Sequence, residues 1–265
     1  MKKSKIRYFC LIVLISLVGL HISCINSEEY KKIKEEFRDV EYNDDFETFD
    51  SIYASIPDYS EVSSELSSIH AEFNPVVLLP YQSAGLYTSS KNTAVAIGMY
   101  IADLGYVRHF ERVQYCMDYL DALRILIQKM AISSDDFNKM VPEFESNINN
   151  KDRLFEITDS LMSSGNILLS DNEMYGISAL VLAGLWTETT YLGLLNYDEI
   201  DMVNANVKLM AHFEILKQIN KLFDCLSDDS VISELKADLK DVEKKGPESQ
   251  SLLDDIVLIR NKFSQ

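Results

Sequence analysis

Five of the nine glycines in this 265-residue chain fall inside two apolar segments that otherwise have the spacing of helices. Gly98 and Gly105 lie in the first, around Ala94 to Tyr106; Gly176, Gly184 and Gly193 lie in the second, Asn172 to Leu195. A glycine in a helix interior costs about 1 kcal/mol against alanine, so several on one helix mean that another backbone comes close. The pattern predicts that these two helices cross near the centre of the fold. Each also carries an acid within its apolar stripe and a tyrosine three residues on: Asp103 with Tyr106, and Glu188 with Tyr191. Residues three apart share a helix face, so each acid and its tyrosine point the same way.

Two chemistries suit such a pair of acids. The carboxyls could converge, one with a raised pKa, for acid/base work or for holding a cation. Alternatively each is buried and bonded to a tyrosine hydroxyl or to an arginine such as Arg108 or Arg112, which fixes helix register. The second reading is preferred, because no nucleophile and no metal-ligand spacing accompanies the acids.

The rest of the body is helical by the same test. Ala96, Met99, Asp103, Tyr106 and Phe110 form one stripe, and Cys116, Leu120, Leu123, Ile127 and Met130 the next. Leu154, Ile157 and Leu161 line a further helix ended by Gly165, and Ser170 with Glu173 makes a capping box before the most apolar segment. After Asp198 comes a long helix with His212, Ile215, Ile219, Leu222 and Leu226 on one face. Two more follow near Val231 to Glu243 and Leu252 to Phe263. Pro75 and Pro80 bracket Val76 to Leu79, an extended apolar piece expected as loop or short strand. Nine glycines and five prolines are few for this length. The expected fold is therefore all-α, a multi-helix bundle of about eight to ten helices.

The N-terminus supplies an address. Lys2, Lys3, Lys5 and Arg7 precede an apolar run from Tyr8 to Leu20 that ends at His21-Ile22-Ser23-Cys24. Thirteen helical residues reach roughly 20 Å, short of the ~30 Å hydrocarbon core, so this is a secretory signal and not a span. Cys24 follows a small residue where lipoprotein processing needs a thiol, and lipidation there is preferred over an ordinary cut near Ser23. Residues 24 to 60 hold 11 acidic and 4 basic side chains with no sustained apolar face, as in a solvated tether. Asp58 with Glu61 then opens a helix along Val62, Leu66 and Ile69. The expected organisation is a signal peptide over 1–23, an acidic tether over 24–57 and one helical domain over 58–265.

Charge and motifs exclude more than they include. Removing residues 1–23 takes four basic and no acidic side chains from a formal charge of −17, leaving −21. Such a surface repels nucleic acid and anionic headgroups. His70, His109 and His212 each stand two residues before a glutamate, a spacing that puts the pair on different helix faces and makes no metal site. No Glu-x-x-His pair, His-Glu-x-x-His, Gly-x-Ser-x-Gly, phosphate loop or calcium loop occurs. No metal and no cofactor is expected. Cys116 and Cys225 lie near apolar residues at helical spacing and are expected as buried free thiols in preference to a bridge.

Gly98-Met99-Tyr100-Ile101-Ala102-Asp103-Leu104-Gly105-Tyr106 and Ala183-Gly184-Leu185-Trp186-Thr187-Glu188 resemble the paired helices of a group of helical Bacteroidetes-type lipoproteins. The start resembles a lipoprotein signal of that kind, with Ser23 before Cys24, an acidic Glu28-Glu29 after it, and His21 where an aliphatic residue is usual. The resemblance implies a helical fold and an outer-membrane location through palmitate-type acylation, with the cell surface as one face it could occupy; it brings no activity. The expected function is thus a non-enzymatic binding or scaffolding lipoprotein of the bacterial envelope. It would be tied to the membrane through Cys24 and take a protein or glycan partner. The alternative is a small enzyme or ligand-binding protein built on Asp103, Tyr106, Glu188 and Tyr191.

Overall fold

The computed structural model describes residues 46–58, 72–130, 152–160, 175–195, 202–226 and 230–264, with isolated positions at 32–33, 61, 142–143, 146–147 and 150. It is all-α. The helices are α1 Phe46–Ser55, α2 Ser90–His109, α3 Val113–Lys129, α4 Tyr175–Leu195, α5 Met202–Asp224, α6 Ser230–Lys245 and α7 Leu252–Phe263. Residues 152–160 are helical as well, and two 3-10 turns, Pro75–Val77 and Tyr81–Leu86, sit between α1 and α2. Among the described residues there is no strand.

α2 and α4 form the centre. Both are buried on nearly every face, as expected of helices that are apolar all round. Of the five helix glycines, Gly98 and Gly184 mark the crossing. A Cβ on Gly98 would lie 1.9 Å from the carbonyl oxygen of Val181, and one on Gly184 would lie 2.0 Å from that of Val95. Backbone therefore meets backbone. α4 is, among the described residues, the one helix long and apolar enough to cross a membrane, yet 89% of its most apolar stretch is buried inside the protein. It is the core helix of this bundle.

The outer helices bury one stripe each. α3 turns Cys116, Leu120, Leu123 and Leu126 inward, and α5 turns Leu209, Phe213, Leu216, Ile219, Leu222 and Phe223. α7 covers α4 with Leu252, Ile256, Ile259 and Phe263. Ser89 caps α2 by accepting from the Asn92 amide, and α2 ends at Glu111, whose φ of 55° is left-handed. There the Arg112 amide bonds to Val107 O at 2.9 Å and the Glu111 amide to Arg108 O at 3.0 Å, a Schellman closure with glutamate where glycine is favoured.

One boundary differs from expectation. Phe49, Tyr53 and Ile56 are buried in the common core, Phe49 edge-on to Tyr175 at 4.8 Å. Residues 46–57, assigned to the acidic tether, are therefore part of the folded body, and Ile33 joins the same core. The tether reading failed because an acidic composition hid a short i, i+4, i+7 stripe at 49, 53 and 56. Asp58 does cap, taking the Glu61 amide at 2.9 Å. The Val62, Leu66 and Ile69 stripe, Leu161, Gly165, the Ser170/Glu173 box and Asp198 lie outside the described residues, as does Cys24 with the whole signal.

Candidate functional site

Asp103 and Glu188 meet where α2 passes α4. Both side chains are completely buried. Asp103 Oδ2 accepts the Leu79 amide at 3.0 Å. Glu188 Oε2 accepts Arg260 Nε at 2.7 Å, and Arg260 Nη2 donates to Val77 O at 3.0 Å. The two carboxyls lie close enough that the charge of Glu188 acts on Asp103. Their remaining oxygens, Asp103 Oδ1 and Glu188 Oε1, are buried with no N–H or O–H donor directed at them.

The tyrosines divide. Tyr191 lies beneath the Arg260 guanidinium, whose carbon is 4.2 Å from the ring centroid. A cation over a desolvated ring contributes up to about 2 kcal/mol. Tyr106 bonds to neither acid; its hydroxyl accepts the Asn74 amide at 3.1 Å. The arginine that answers the acids is Arg260, from the C-terminal helix. Arg108 instead makes a two-point bond to Asp159 at 3.1 and 2.9 Å, and Arg112 lies 4.8 Å from the Phe73 ring.

These bonds share one target, the backbone of residues 74–87. Tyr100 donates its hydroxyl proton to Pro80 O at 2.8 Å and Tyr119 to Leu79 O at 2.5 Å. Lys129 Nζ reaches both Gly85 O and Tyr87 O at 2.6 Å. This segment has few backbone partners of its own, because its 3-10 turns are short and Pro75 and Pro80 carry no amide hydrogen. Its amides and carbonyls must find partners when buried, and α2, α3 and α7 supply them as side chains. Sequence reasoning missed the strap because the groups being satisfied are main-chain atoms, which leave no residue signature.

Burial sets the titration of the cluster. It raises Asp103 well above the ordinary carboxyl value; the neighbouring Glu188 charge adds to this, and Arg260 and the Leu79 amide oppose it. Glu188 is also raised by burial, with Arg260 pulling it down. Tyr87 is pushed up to about 12 by burial, and Tyr100 and Tyr119 are raised further by the same cause.

Several other polar residues of the core are occupied by groups of the protein itself. Trp186 Nε1 donates to His212 O at 2.8 Å, while His212 Nε2 lies 3.3 Å from Trp186 O, and the two rings stack at 5.3 Å. Thr187 and Thr190 return their hydroxyls to carbonyls one turn back on α4. Among the described residues no group of three or more His, Cys, Asp or Glu is placed to hold a metal. Cys116 and Cys225 are not joined in a disulfide, and Cys225 Sγ donates to Lys221 O at 3.4 Å. Cys116 is buried, which pushes its pKa up to about 12, and Cys225 is half-buried, a partial departure from the expectation for both.

No family model, curated protein or solved structure matches this chain.

Proposed function

We propose that this chain is a lipid-anchored protein of the bacterial envelope that binds or scaffolds a protein or glycan partner and catalyses nothing at its acidic pair. The observation that carries this reading is the occupation of both acids by the protein's own groups. Asp103 holds the Leu79 amide and Glu188 holds Arg260, with neither carboxyl exposed. A reaction centre needs a substrate atom within hydrogen-bond reach of the acid or base. Here the backbone of residues 77–79 takes that place.

The address rests on the sequence. A basic start, a thirteen-residue apolar run and Ser23-Cys24 suit acylation at Cys24, and two or more acyl chains hold a protein at a bilayer durably. A mature charge of −21 gives the domain no electrostatic attraction of its own to anionic lipid. Fractionation of a Cys24→Ala chain tests this half: the intact domain should move to the soluble fraction. Retention in washed membranes would overturn it. In-cell crosslinking of the lipidated protein, read by mass spectrometry, should return one recurrent envelope protein or a glycan; a turnover lost in Asp103→Asn with the fold intact would refute the binding role.

A further inference from the structure

We propose that Asp103 and Glu188 form a proton-binding site, in which one proton held between Asp103 Oδ1 and Glu188 Oε1 locks residues 74–87 and α7 onto the α2–α4 crossing.

Arg260 stays cationic at any pH the fold tolerates. With both carboxyls ionised the buried cluster carries −1; with one proton it is neutral; with two it carries +1. Burial favours the neutral state, since an unmatched interior charge costs several kcal/mol. The atoms agree. Each acid has one oxygen satisfied, by Leu79 or Arg260, and one oxygen with no donor directed at it. Two buried acceptors on neighbouring acids, neither with a donor, are unsatisfied; one O–H shared between them would satisfy both. Arg260 keeps Glu188 ionised, so the proton resides on Asp103 and is donated to Glu188 Oε1.

The lock follows from what the acids hold. Asp103 carries the Leu79 amide, and Glu188 orients Arg260, which in turn holds Val77 O. When the proton leaves for solvent, two like charges are left buried beside each other. The helices are fixed by backbone contact at Gly98 and Gly184, so the 3-10 strap is the element that yields. The groups facing the pair are Tyr100 of α2, Tyr119 of α3, Tyr87 of the strap, Tyr191 of α4 and Arg260 of α7. All four tyrosines are raised by burial, so they remain neutral while the acid pair titrates. A folded value above the unfolded ~3.9 means that folding takes up a proton. That stabilisation is fully present below the unfolded value and is lost as pH rises through the folded one.

Hydrogen exchange of the intact protein between pH 6 and 10, corrected for the chemical rate, tests the proposal. In the parent chain, protection of residues 74–87 should fall about tenfold per pH unit while the closed site keeps its proton and the opened one does not, and level off once the closed site loses it. Asp103→Asn replaces the O–H with an amide N–H and keeps an oxygen for Leu79. It should retain protection within about threefold at pH 7 and stay flat with pH. Glu188→Gln removes the partner of Arg260 and should lose protection at least tenfold at every pH. The 13C shift of the Asp103 carboxyl in the parent chain should be that of an acid at pH 7, a reading independent of whether the variants fold. A carboxylate shift there, or an Asp103→Asn protein that loses protection with pH as the parent does, would overturn the proposal.

Discussion

Replacing Gly98 by alanine tests the crossing around which the bundle is built. The new Cβ would sit 1.9 Å from Val181 O and 2.5 Å from Leu185 N, both backbone atoms that no rotamer change can move. Bringing the shorter contact to about 3.2 Å parts α2 from α4 by ~1.3 Å. A gap above 1 Å forfeits at least half of each contact's 0.1–0.2 kcal/mol, so ~40 atom pairs across the crossing lose about 3 kcal/mol. Alanine returns about 1 kcal/mol in helix propensity. The net is about 2 kcal/mol of destabilisation. Gly184→Ala, whose Cβ would lie 2.0 Å from Val95 O, is expected to cost about the same. One separation accommodates both methyls, so the double variant should cost clearly less than the sum. Urea titration followed by circular dichroism at 222 nm measures all three. Neutral or stabilised single variants would refute the backbone contact.

Phe49→Ala should destabilise the protein by about 3 kcal/mol, because the ring is 2% exposed and sits against Tyr175; a loss below ~0.5 kcal/mol in the same titration would return residues 46–57 to the tether. Glu111→Gly should raise the thermal midpoint by removing a left-handed glutamate from the Schellman closure, a gain of about 1 kcal/mol. An unchanged or lowered midpoint would contradict that strain.

The helical architecture was legible because most of its information is periodic. Stripes at 96–110, 116–130, 209–226 and 252–263 each face the core, and the scarce glycines gave the crossing at Gly98 and Gly184. The same glycines bring the helices of Asp103 and Glu188 together, but the convergence of the two acids was the less favoured reading of the sequence. Arg260 was not, because it lies 72 residues from Glu188 in sequence and beside the Ile256, Ile259 and Phe263 stripe. An arginine flanking an apolar stripe has the same spacing whether it reaches solvent or a buried acid. Tyr106 shows the converse limit. Sharing a face with Asp103 placed it correctly on α2, yet its hydroxyl serves Asn74, because the strap covers both positions with different amides.

Glu188 and Arg260 are the structural pair that holds the strap and α7 to the core. A double-mutant cycle of Glu188→Gln and Arg260→Gln by urea titration measures that role directly. Each single change strands a buried charge and should cost about 3–5 kcal/mol, while the double change removes both charges and should fall at least ~2 kcal/mol short of the sum. Additive costs, or single costs below ~0.5 kcal/mol, would contradict it.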